Sequence, residues 1–365
     1  SRSAGLLLAA TAAGLLLPGC APGAQSSATS PSPRDGVNQA SAGVLTFNES
    51  ADRLFADDPV RLDGEWEVYW GQLYQAADFA NPAQAAKLAR QRRFIQVPTA
   101  WEIPVEHRAV PDEDRERGVA RAIGFATLRL RIEGLRELAR SAGELHIATR
   151  QWGLAFRLYC GSELVLANGI VGRQADSSRP GRLPVQGSLS SACLQSGELI
   201  WQISNFDTAM SGPRQSLTLA PRLQMDAKRF QRELIAFVLT GVTLIITIYH
   251  LALYYFQRNA RVHWRFGLLA LMILQWTSMQ NDVPQRLLGV DGHFGMVLRL
   301  QLLAMFIMPA AYFSYLQSCF PREFPAKFMA PLVVLAIVFA FFNLLRPTDE
   351  ITALVPIYLG VLALV

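Results

Sequence analysis

The pattern of apolar and polar positions divides the chain into two regions of different character. Between residues 45 and 233, short stretches of alternating apolar and polar side chains are separated by turn residues, and about a quarter of the positions are charged. From residue 234 onward the charged fraction falls to about a tenth, and the apolar runs become long. Alternation with a period of two predicts strands, whereas long uncharged runs predict membrane-spanning helices. We therefore predict a β-rich domain followed by a membrane bundle.

The first region is predicted to be an all-β sandwich over residues 45–225. Phe125–Ile132 alternates cleanly and places Leu128, Leu130 and Ile132 on one face, toward a core. Cys160–Glu163 fits a tight hairpin turn, with Gly161 able to adopt a positive φ. Further strands are predicted at Trp66–Trp70, Phe94–Val97, Glu144–Thr149, Ala155–Tyr159, Leu164–Leu166 and Leu199–Ser204. Asn81–Arg92 is helical by composition, and we expect it to be an excursion on the surface of the sandwich.

The second region, residues 234–365, is predicted to be an all-α transmembrane bundle with four spans and the start of a fifth. The uncharged runs are Leu234–Phe256, Phe266–Asn281, Leu300–Pro321, Phe328–Leu345 and Ile351–Val365. Loop 257–265 carries three arginines and no acid, whereas loops 282–295 and 346–350 carry acidic residues. The positive-inside rule then places the first and third loops in the cytoplasm and the N-terminal domain outside it. We expect the natural protein to continue beyond Val365.

Residues 1–20 read as a secretory signal segment, followed by a flexible linker at residues 21–44. Arg2 precedes a short apolar stretch, Ala4–Leu17, and the sequence Leu17-Pro18-Gly19-Cys20 resembles the lipobox of bacterial lipoproteins. Either Cys20 is acylated, or the segment is an ordinary signal peptide whose cysteine lies near the cleavage site. Because the chain begins with serine, we expect its natural start to lie further upstream.

Charge and cysteine usage exclude several classes of function. The net charge of +5 is spread along the chain without a basic block, so no nucleic-acid partner is expected. The four cysteines form no CxxC pair, and the five histidines lack metal-ligand spacing, so we expect no metal and no cofactor. Cys160 and Cys193 both lie in the exported domain. They are either bonded to each other or two separate small apolar residues.

The order of several motifs resembles one bacterial receptor family. The motifs are Leu62–Trp70, Phe94–Trp101, Gly124–Leu130, Phe156–Leu164, Ala167–Gly172 and Ile203–Phe206. The series resembles the extracellular domain of seven-transmembrane receptors with diverse intracellular signalling modules, the 7TM-DISM family. It is also similar to the jelly-roll, galactose-binding-like domain of β-galactosidase-type glycoside hydrolases. Two departures are Gly161-Ser162, where the family tends to have an Asn-Gly turn, and Asp207–Gly212, where it often has His or Arg before a Gly pair.

The resemblance implies a multi-pass signalling receptor of the bacterial inner membrane with a periplasmic N-terminal domain. That domain would bind a small-molecule ligand, with carbohydrate among the candidates. The membrane domain would pass the signal to a cytoplasmic output domain beyond Val365, such as a histidine kinase, a nucleotide cyclase or a phosphatase. No enzymatic activity is assigned to the present residues. A receptor of this kind is expected to act as a homodimer, although no residue indicates one.

Four residues of the exported domain are candidates for ligand contact. Trp152, beside Arg150 in a strand-end loop, could stack on a sugar ring. Asn205 and Arg214 are further candidates, and the alternative role for Asn205 is to cap a turn. Trp66 and Trp101 lie within the fold-defining motifs, so we expect them in the core. Asp63, Glu65, Glu67 and Glu102 could suggest paired carboxylates for glycoside hydrolysis, but the resembled domain is the non-catalytic part of those enzymes.

Three polar residues of the membrane region are candidates for a role in function. His250 and Gln275 lie within predicted spans, where polar groups are costly and often functional. His250 either bonds a neighbouring helix or takes part in a relay. Arg299 lies at the outer end of its span, where it can also extend toward the membrane surface.

Two other functions remain open from the sequence. A transporter or lipid-modifying membrane enzyme with an exported accessory domain would be expected to show broken helices, for which Pro309 and Pro356 are the candidates. A structural adhesion module is the third hypothesis. A pocket with converging polar groups would count against adhesion.

Overall fold

The computed structural model describes residues 39–112, 121–209, 211–288, 294–325, 327 and 329–364. A β-sheet region extends to Pro221, and the rest of the chain is mostly helical. This two-region architecture confirms the coarse prediction, whereas the jelly-roll topology stays a prediction. The signal segment with Cys20, and all but the last residues of the predicted linker, lie outside the described residues.

The sheet region contains two sheets. In the larger sheet the strands follow the order β4-β3-β5-β11-β7-β8-β9, and β1 pairs with β5 in parallel. The smaller sheet has the order β10-β6-β12-β2. The strands are β1 (Val44–Thr46), β2 (Val60–Arg61), β3 (Gly64–Trp70), β4 (Arg93–Val97), β5 (Gly124–Glu133), β6 (Leu145–Thr149), β7 (Ala155–Cys160), β8 (Glu163–Ile170), β9 (Arg179–Pro180), β10 (Val185–Ser188), β11 (Glu198–Asn205) and β12 (Thr218–Pro221).

The helices divide into short ones on the sheet region and long ones that follow it. The short helices are α1 (Ala51–Leu54), α2 (Ala76–Ala80), α3 (Ala85–Gln91), α4 (Leu135–Ala142) and α5 (Ser191–Ser196), with 3₁₀ turns at Pro82–Gln84 and Val105–His107. The helical region consists of α6 (Arg222–Phe256), α7 (Arg261–Gln280), α8 (Val283–Leu288), α9 (Phe294–Cys319), α10 (Met329–Leu345) and α11 (Thr348–Leu364).

One hydrophobic core lies between the two sheets. Leu128 and Leu130 of β5 are fully buried in it, as the alternating pattern predicted, and they share it with Ile147 and Leu219 of the smaller sheet. The two tryptophans expected in the core, at 66 and 101, are both buried there. Since burial of large apolar side chains is the main stabilising term in folding, these residues hold the sheets face to face.

A disulfide ties the end of β7 to α5. Cys160 and Cys193 are bonded, with 5.0 Å between their Cα atoms, and both side chains are buried. The β7–β8 hairpin follows directly and turns at Gly161, whose φ is +58°. A β-carbon at Gly161 would lie 3.1 Å from Oγ of Ser196, so glycine suits this turn by both conformation and space.

Helix α6 begins inside the sheet region. Met225 in its first turns is only 1% exposed and belongs to the core between the sheets. The Gln224 side-chain amide donates to the Phe55 carbonyl over 2.9 Å, and Lys228 pairs with Asp58 at 2.7 Å. The helix therefore starts well before Leu234, where the predicted span begins, and joins the two regions without a linker.

The helices of the second region pack side by side. Helix α7 lies between α6 and α9, and α9 also contacts α10 and α11. Each of the five predicted apolar runs overlaps one of these helices, but only the first, Leu234–Phe256, lies wholly within its helix as described. Among the described helices, α6 and α9 are the two that are long and apolar enough to cross a membrane. Only 11% of the most apolar stretch of α6 is buried within the protein.

Candidate functional site

Loops of the sheet region contact the helical region at the C-terminus of α7. Arg150 lies in the β6–β7 loop, and Arg182 lies just after β9. Both side chains reach Asp282, which follows α7 in the connection to α8. Neither β-strand alternation nor helix periodicity brings these residues together. The packing of the sheet region on the helices does so.

The carboxylate of Asp282 is completely buried between the two arginines. Nε of Arg182 donates to its Oδ1 over 2.6 Å, and Nη2 of Arg150 donates to its Oδ2 over 2.9 Å. Asp282 has a side-chain exposure of 0%, and that of Arg182 is 7%. Asp282 also has a φ of +55°, a conformation that L-residues rarely adopt and that Asp tolerates better than most. We call this arrangement the Asp282 clamp.

The same two arginines satisfy backbone groups at the end of α7. Arg182 donates to the carbonyl of Met279, and Arg150 donates to the carbonyl of Gln280. Nη2 of Arg182 also donates to Oε1 of Gln301 on α9 over 3.2 Å. The last carbonyls of a helix have no partner within it, and its C-terminus attracts cations. The sheet region thus provides the cap of a helix that belongs to the other region.

Burial makes the clamp sensitive to loss of either partner. Burial lowers the pKa of the Arg182 guanidinium from its ordinary value, and the charge of Asp282 opposes this shift. A buried charge that loses its partner costs about 3–5 kcal/mol, although an intact buried pair adds little net stability. The clamp is therefore suited to specify one docked arrangement and to report its disruption.

An aromatic contact lies beside the clamp. The ring of Trp152 packs edge-on against Phe294, the first residue of α9, with 5.5 Å between ring centroids. The next residue, Gly153, has a φ of +75°, and a β-carbon there would come within 3.3 Å of the Phe294 ring. Glycine therefore allows the β6–β7 loop to lie directly on the start of α9.

A third contact joins the loop after β11 to α11. The side chain of buried Asn205 accepts from the N–H of Thr208 at 3.2 Å and donates to the Thr208 carbonyl at 2.8 Å. This turn presents the N–H of Ala209 to Oγ1 of Thr352 at 2.9 Å. Burial raises the pKa of the Asp207 carboxyl above its usual range, and the nearby Asp349 carboxylate raises it further. Two acidic groups thus interact unfavourably across this contact.

A cavity of about 300 Å³ lies next to the clamp, between the smaller sheet, α6 and the start of α8. One of its lining residues, Glu233, is acidic. Five others are arginines, namely Arg61, Arg150, Arg229, Arg232 and Arg286. Ala236 and Phe237 of α6 provide an apolar part of the wall, and Gln186, Gln215 and Asn281 provide neutral polar groups. We call it the arginine cavity. The sequence does not predict the arginine cavity, because the five arginines are spread over 225 positions of the chain.

The carboxylates considered for hydrolysis serve the structure of the sheet region. Glu67 is buried, accepts a hydrogen bond from the Tyr69 hydroxyl at 2.9 Å and pairs with Arg129 at 3.3 Å. Asp63 pairs with Arg61 at 3.2 Å, and Glu65 accepts the N–H of Ala42 at 2.8 Å. Glu102 pairs with Arg121 at 3.6 Å. Among the described residues, no group of three His, Cys, Asp or Glu side chains is placed to hold a metal ion.

The four residues predicted to contact a ligand occupy different environments. Arg150 and Trp152 contact the helical region, and Asn205 holds a turn, which matches the alternative role considered for it. Arg214 is half-buried in the loop between β11 and β12. Ligand contact by these four residues stays a prediction.

The polar residues predicted to lie in membrane spans contact neighbouring helices. The Gln275 amide donates to the Leu300 carbonyl at 2.7 Å and joins α7 to α9. Arg299 donates to the carbonyls of Asn343 and Arg346 at the end of α10. The His250 ring lies 4.2 Å from that of Phe266. Pro309 and Pro356 both lie inside helices that continue through them.

Comparisons with known proteins give distant structural matches. No protein-family profile and no curated protein matches the chain. Similar solved structures include the Parabacteroides merdae β-glucuronidase with glycerol in its active site, at 13% identity and a TM-score of 0.30, covering 45% of this chain and 21% of that one. For Bacteroides uniformis β-glucuronidase 3 the identity is 13% and the TM-score 0.29, with 45% and 22% covered. The Faecalibacterium prausnitzii enzyme gives 13% identity and a TM-score of 0.27, with 44% and 31% covered.

The chain therefore spans less than a third of the length of these β-glucuronidases. TM-scores of this size do not establish a shared fold.

Proposed function

We propose that the protein is a multi-pass signal-transduction receptor of the bacterial inner membrane, of the 7TM-DISM type. Its sheet region would be a periplasmic, jelly-roll sugar-binding-like sensor for a small ligand, with carbohydrate among the candidates. Its helices would pass the signal to an output domain such as a histidine kinase or cyclase. The observation that carries the proposal is the Asp282 clamp, since it makes the sheet region part of the cap of α7, a helix of the proposed membrane bundle.

The positions of the contacts support the proposed orientation. Asp282, Phe294 and Thr352 contact the sheet region, and they lie in or beside the two loops that the charge pattern assigns to the outside. The arginine-rich loop 257–265 connects the opposite ends of α6 and α7. The packing puts the sheet region at the helix ends that the charge rule assigns to the outside, and this agreement supports the proposed orientation.

The way the two regions are joined suggests how a signal would pass. Helix α6 is continuous with the sheet core through Met225, so it moves with the sheet region. The clamp, in contrast, is made of side chains that can separate. A ligand that binds the docked and undocked arrangements with different affinity would shift the population between them. Such a shift would displace α7 and α9 relative to α6.

The natural cysteine at the end of α9 provides a reporter for this coupling. Phe294 contacts Trp152 at one end of α9, and the exposed Cys319 lies at the other, after 26 residues or about 39 Å of helix. We would replace Cys20 by serine, attach a spin label to Cys319, and record its mobility in lipid nanodiscs. The comparison is between Asp282→Asn and Asp176→Asn, the latter changing an exposed loop carboxylate of the sheet region.

The proposal expects the Cys319 label to change mobility in Asp282→Asn and to remain unchanged in Asp176→Asn. The opposite outcome is that the label spectra stay unchanged in both variants while Asp282→Asn has a lower thermal midpoint. That result would show that the clamp only stabilises the fold, and it would overturn the proposed coupling between the sheet region and α9.

The orientation is tested separately with a membrane-impermeant maleimide on intact cells. In the same Cys20→Ser background, we expect Arg136→Cys, on the exposed face of α4, to be labelled from outside. Cys319 should be labelled only after permeabilisation. Labelling of Cys319 from outside would reverse the proposed topology.

A further inference from the structure

We propose that the arginine cavity binds an anion carrying a phosphate group, at the junction of the sheet region and the membrane helices. The inference does not depend on the signalling function, because binding can be measured on the chain itself. It rests on the charge balance around the cavity, on the side chains left without partners and on the shape of the space.

The charge balance is strongly positive. The five lining arginines and the adjacent Arg182 are opposed by three carboxylates within ion-pair distance. Asp63 pairs with Arg61. Asp282 pairs with both Arg150 and Arg182, and Glu233 pairs with both Arg229 and Arg286. Three guanidinium charges therefore remain without a carboxylate of their own. Like charges gathered at a partly buried site repel each other unless an anion compensates them.

Two of the lining arginines have unused hydrogen-bonding capacity. Nε of Arg232 donates to the carbonyl of Lys228 at 3.3 Å, and Arg232 has no carboxylate partner among the described residues. Nε of Arg286 is buried and has no hydrogen-bond partner in the described structure. Arg232 is exposed, so water can also reach its remaining donors. Buried polar groups are normally paired, so the buried, unpaired Nε of Arg286 at the cavity wall indicates a partner that the protein itself does not supply.

Size and chemistry favour a phosphate over a simple carboxylate. A space of about 300 Å³ accommodates a phosphate ester with part of the group it carries. Guanidinium groups bind phosphate oxygens in a bidentate manner, and a phosphate monoester brings up to two negative charges. A monoester therefore compensates more of the three guanidinium charges than one carboxylate would. A phosphodiester, as in a lipid headgroup, brings one charge, and its advantage over a carboxylate is limited to its bidentate phosphate oxygens.

The position of the cavity allows two sources for the phosphate. Ala236 and Phe237 line it at the point where the apolar, exposed part of α6 begins, so a lipid headgroup could enter with its acyl chains along α6. A soluble phosphate compound could enter from the side of the smaller sheet. Either source would place a phosphate group between Arg232 and Arg286, and the experiment below distinguishes the two sources.

The test uses the whole chain purified in a maltoside detergent without phosphate groups. Inorganic phosphate is titrated against sodium chloride of equal ionic strength while the thermal unfolding midpoint is followed. A second arm compares nanodiscs of phosphatidylcholine with nanodiscs that also contain phosphatidylglycerol. The variants are Arg232→Gln, Arg232→Lys and Arg286→Gln. The matched control is Arg136→Gln, which removes an exposed arginine from α4, away from the cavity.

We expect a saturable stabilisation by phosphate, by phosphatidylglycerol, or by both, in the wild type and in Arg136→Gln. The half-saturating concentration should rise about tenfold or more in Arg232→Gln and Arg286→Gln, and less in Arg232→Lys, which keeps the charge but loses the planar fork. A response to phosphatidylglycerol alone identifies the lipid as the source, and a response to inorganic phosphate alone identifies a soluble anion. A response to both shows that the cavity accepts the phosphate group from either source. Absence of a saturable response in both arms, or equal responses in all variants, would overturn the proposal.

Arg232→Gln should fold, because it removes a charge that has no carboxylate partner. Its thermal midpoint without phosphate should equal or exceed that of the wild type. A midpoint well below the wild type would show that Arg232 has a structural role the inference does not include, and would count against it.

Discussion

Nε of Arg182 lies 2.6 Å from Oδ1 of Asp282, although the two residues are 100 positions apart in the chain. The arginine belongs to the sheet region and the aspartate to the helical region, so this bond exists only when the two are docked. Its burial, and the second bond from Arg150, make the docked arrangement specific.

Replacing Asp282 by asparagine should lower the stability of the chain by about 3 kcal/mol, because Arg182 would remain buried with a neutral partner. The measurement is denaturant or thermal unfolding of the whole chain in detergent, with Asp176→Asn as the control. Combining Asp282→Asn with Arg182→Gln should cost less than the sum of the single changes, as expected for a coupled pair. Strict additivity would contradict the clamp.

Trp152→Ala should loosen the start of α9, since the ring contact with Phe294 would be lost. An aromatic pair of this kind contributes about 0.5–1.5 kcal/mol beyond the area it buries. Hydrogen exchange of the amides near Phe294 should become faster in Trp152→Ala and remain close to the wild type in Trp152→Phe. Unchanged exchange in the alanine variant would favour the other predicted role of Trp152, contact with a ligand.

The contact between α11 and the loop that carries Asp207 should weaken as the pH rises. Because the folded pKa of Asp207 lies above its ordinary value, the protonated form is favoured in the folded state. Its contribution to stability is present below about pH 4 and is lost as the pH passes through the raised pKa. Asp207→Asn should therefore raise the thermal midpoint near pH 7. It should also reduce the fall in the free energy of unfolding between about pH 4 and pH 7. An unchanged slope would show that another group sets it.

Loss of the Cys160–Cys193 disulfide should destabilise the sheet region, because the bond closes a loop with a sequence separation of 33. A loop of that size corresponds to about 3–4 kcal/mol. The double variant Cys160→Ser and Cys193→Ser should unfold at a lower temperature than the control Cys319→Ser. The control changes a cysteine that forms no disulfide in the described part of the chain. Equal midpoints in the two variants would contradict the expectation.

Local patterns predicted the strands well and the contacts between regions poorly. Leu128 and Leu130 alternate with polar neighbours, so their strand and its buried face could be predicted from the sequence. In the sequence, Asp282 is only one of the charges in loop 282–295, because no local signal links it to Arg182. Such pairs form only when the folded regions pack together, and the spacing of residues in the sequence does not predict that packing.

The start of α6 was missed for a related reason. The absence of charges after Leu234 marks the part of the helix that can lie in lipid. It does not show that the helix already runs through the charged stretch from Arg222. Met225 is one apolar residue among polar ones there, and a single such residue does not reveal burial in a distant core. The arginine cavity escaped prediction because its arginines come from separate strands and helices.

The anchoring of Met225 in the sheet core gives α6 a definite rotational phase. Each residue of an α-helix turns the chain by about 100°. Inserting one residue between Met225 and Leu234 would therefore swing every later side chain of α6 a quarter-turn or more around its axis, while the sheet region stayed in place. Fusion proteins that join this sheet region to a foreign helix must keep that phase, and insertions of seven residues, close to two full turns, should be tolerated far better than insertions of one or two.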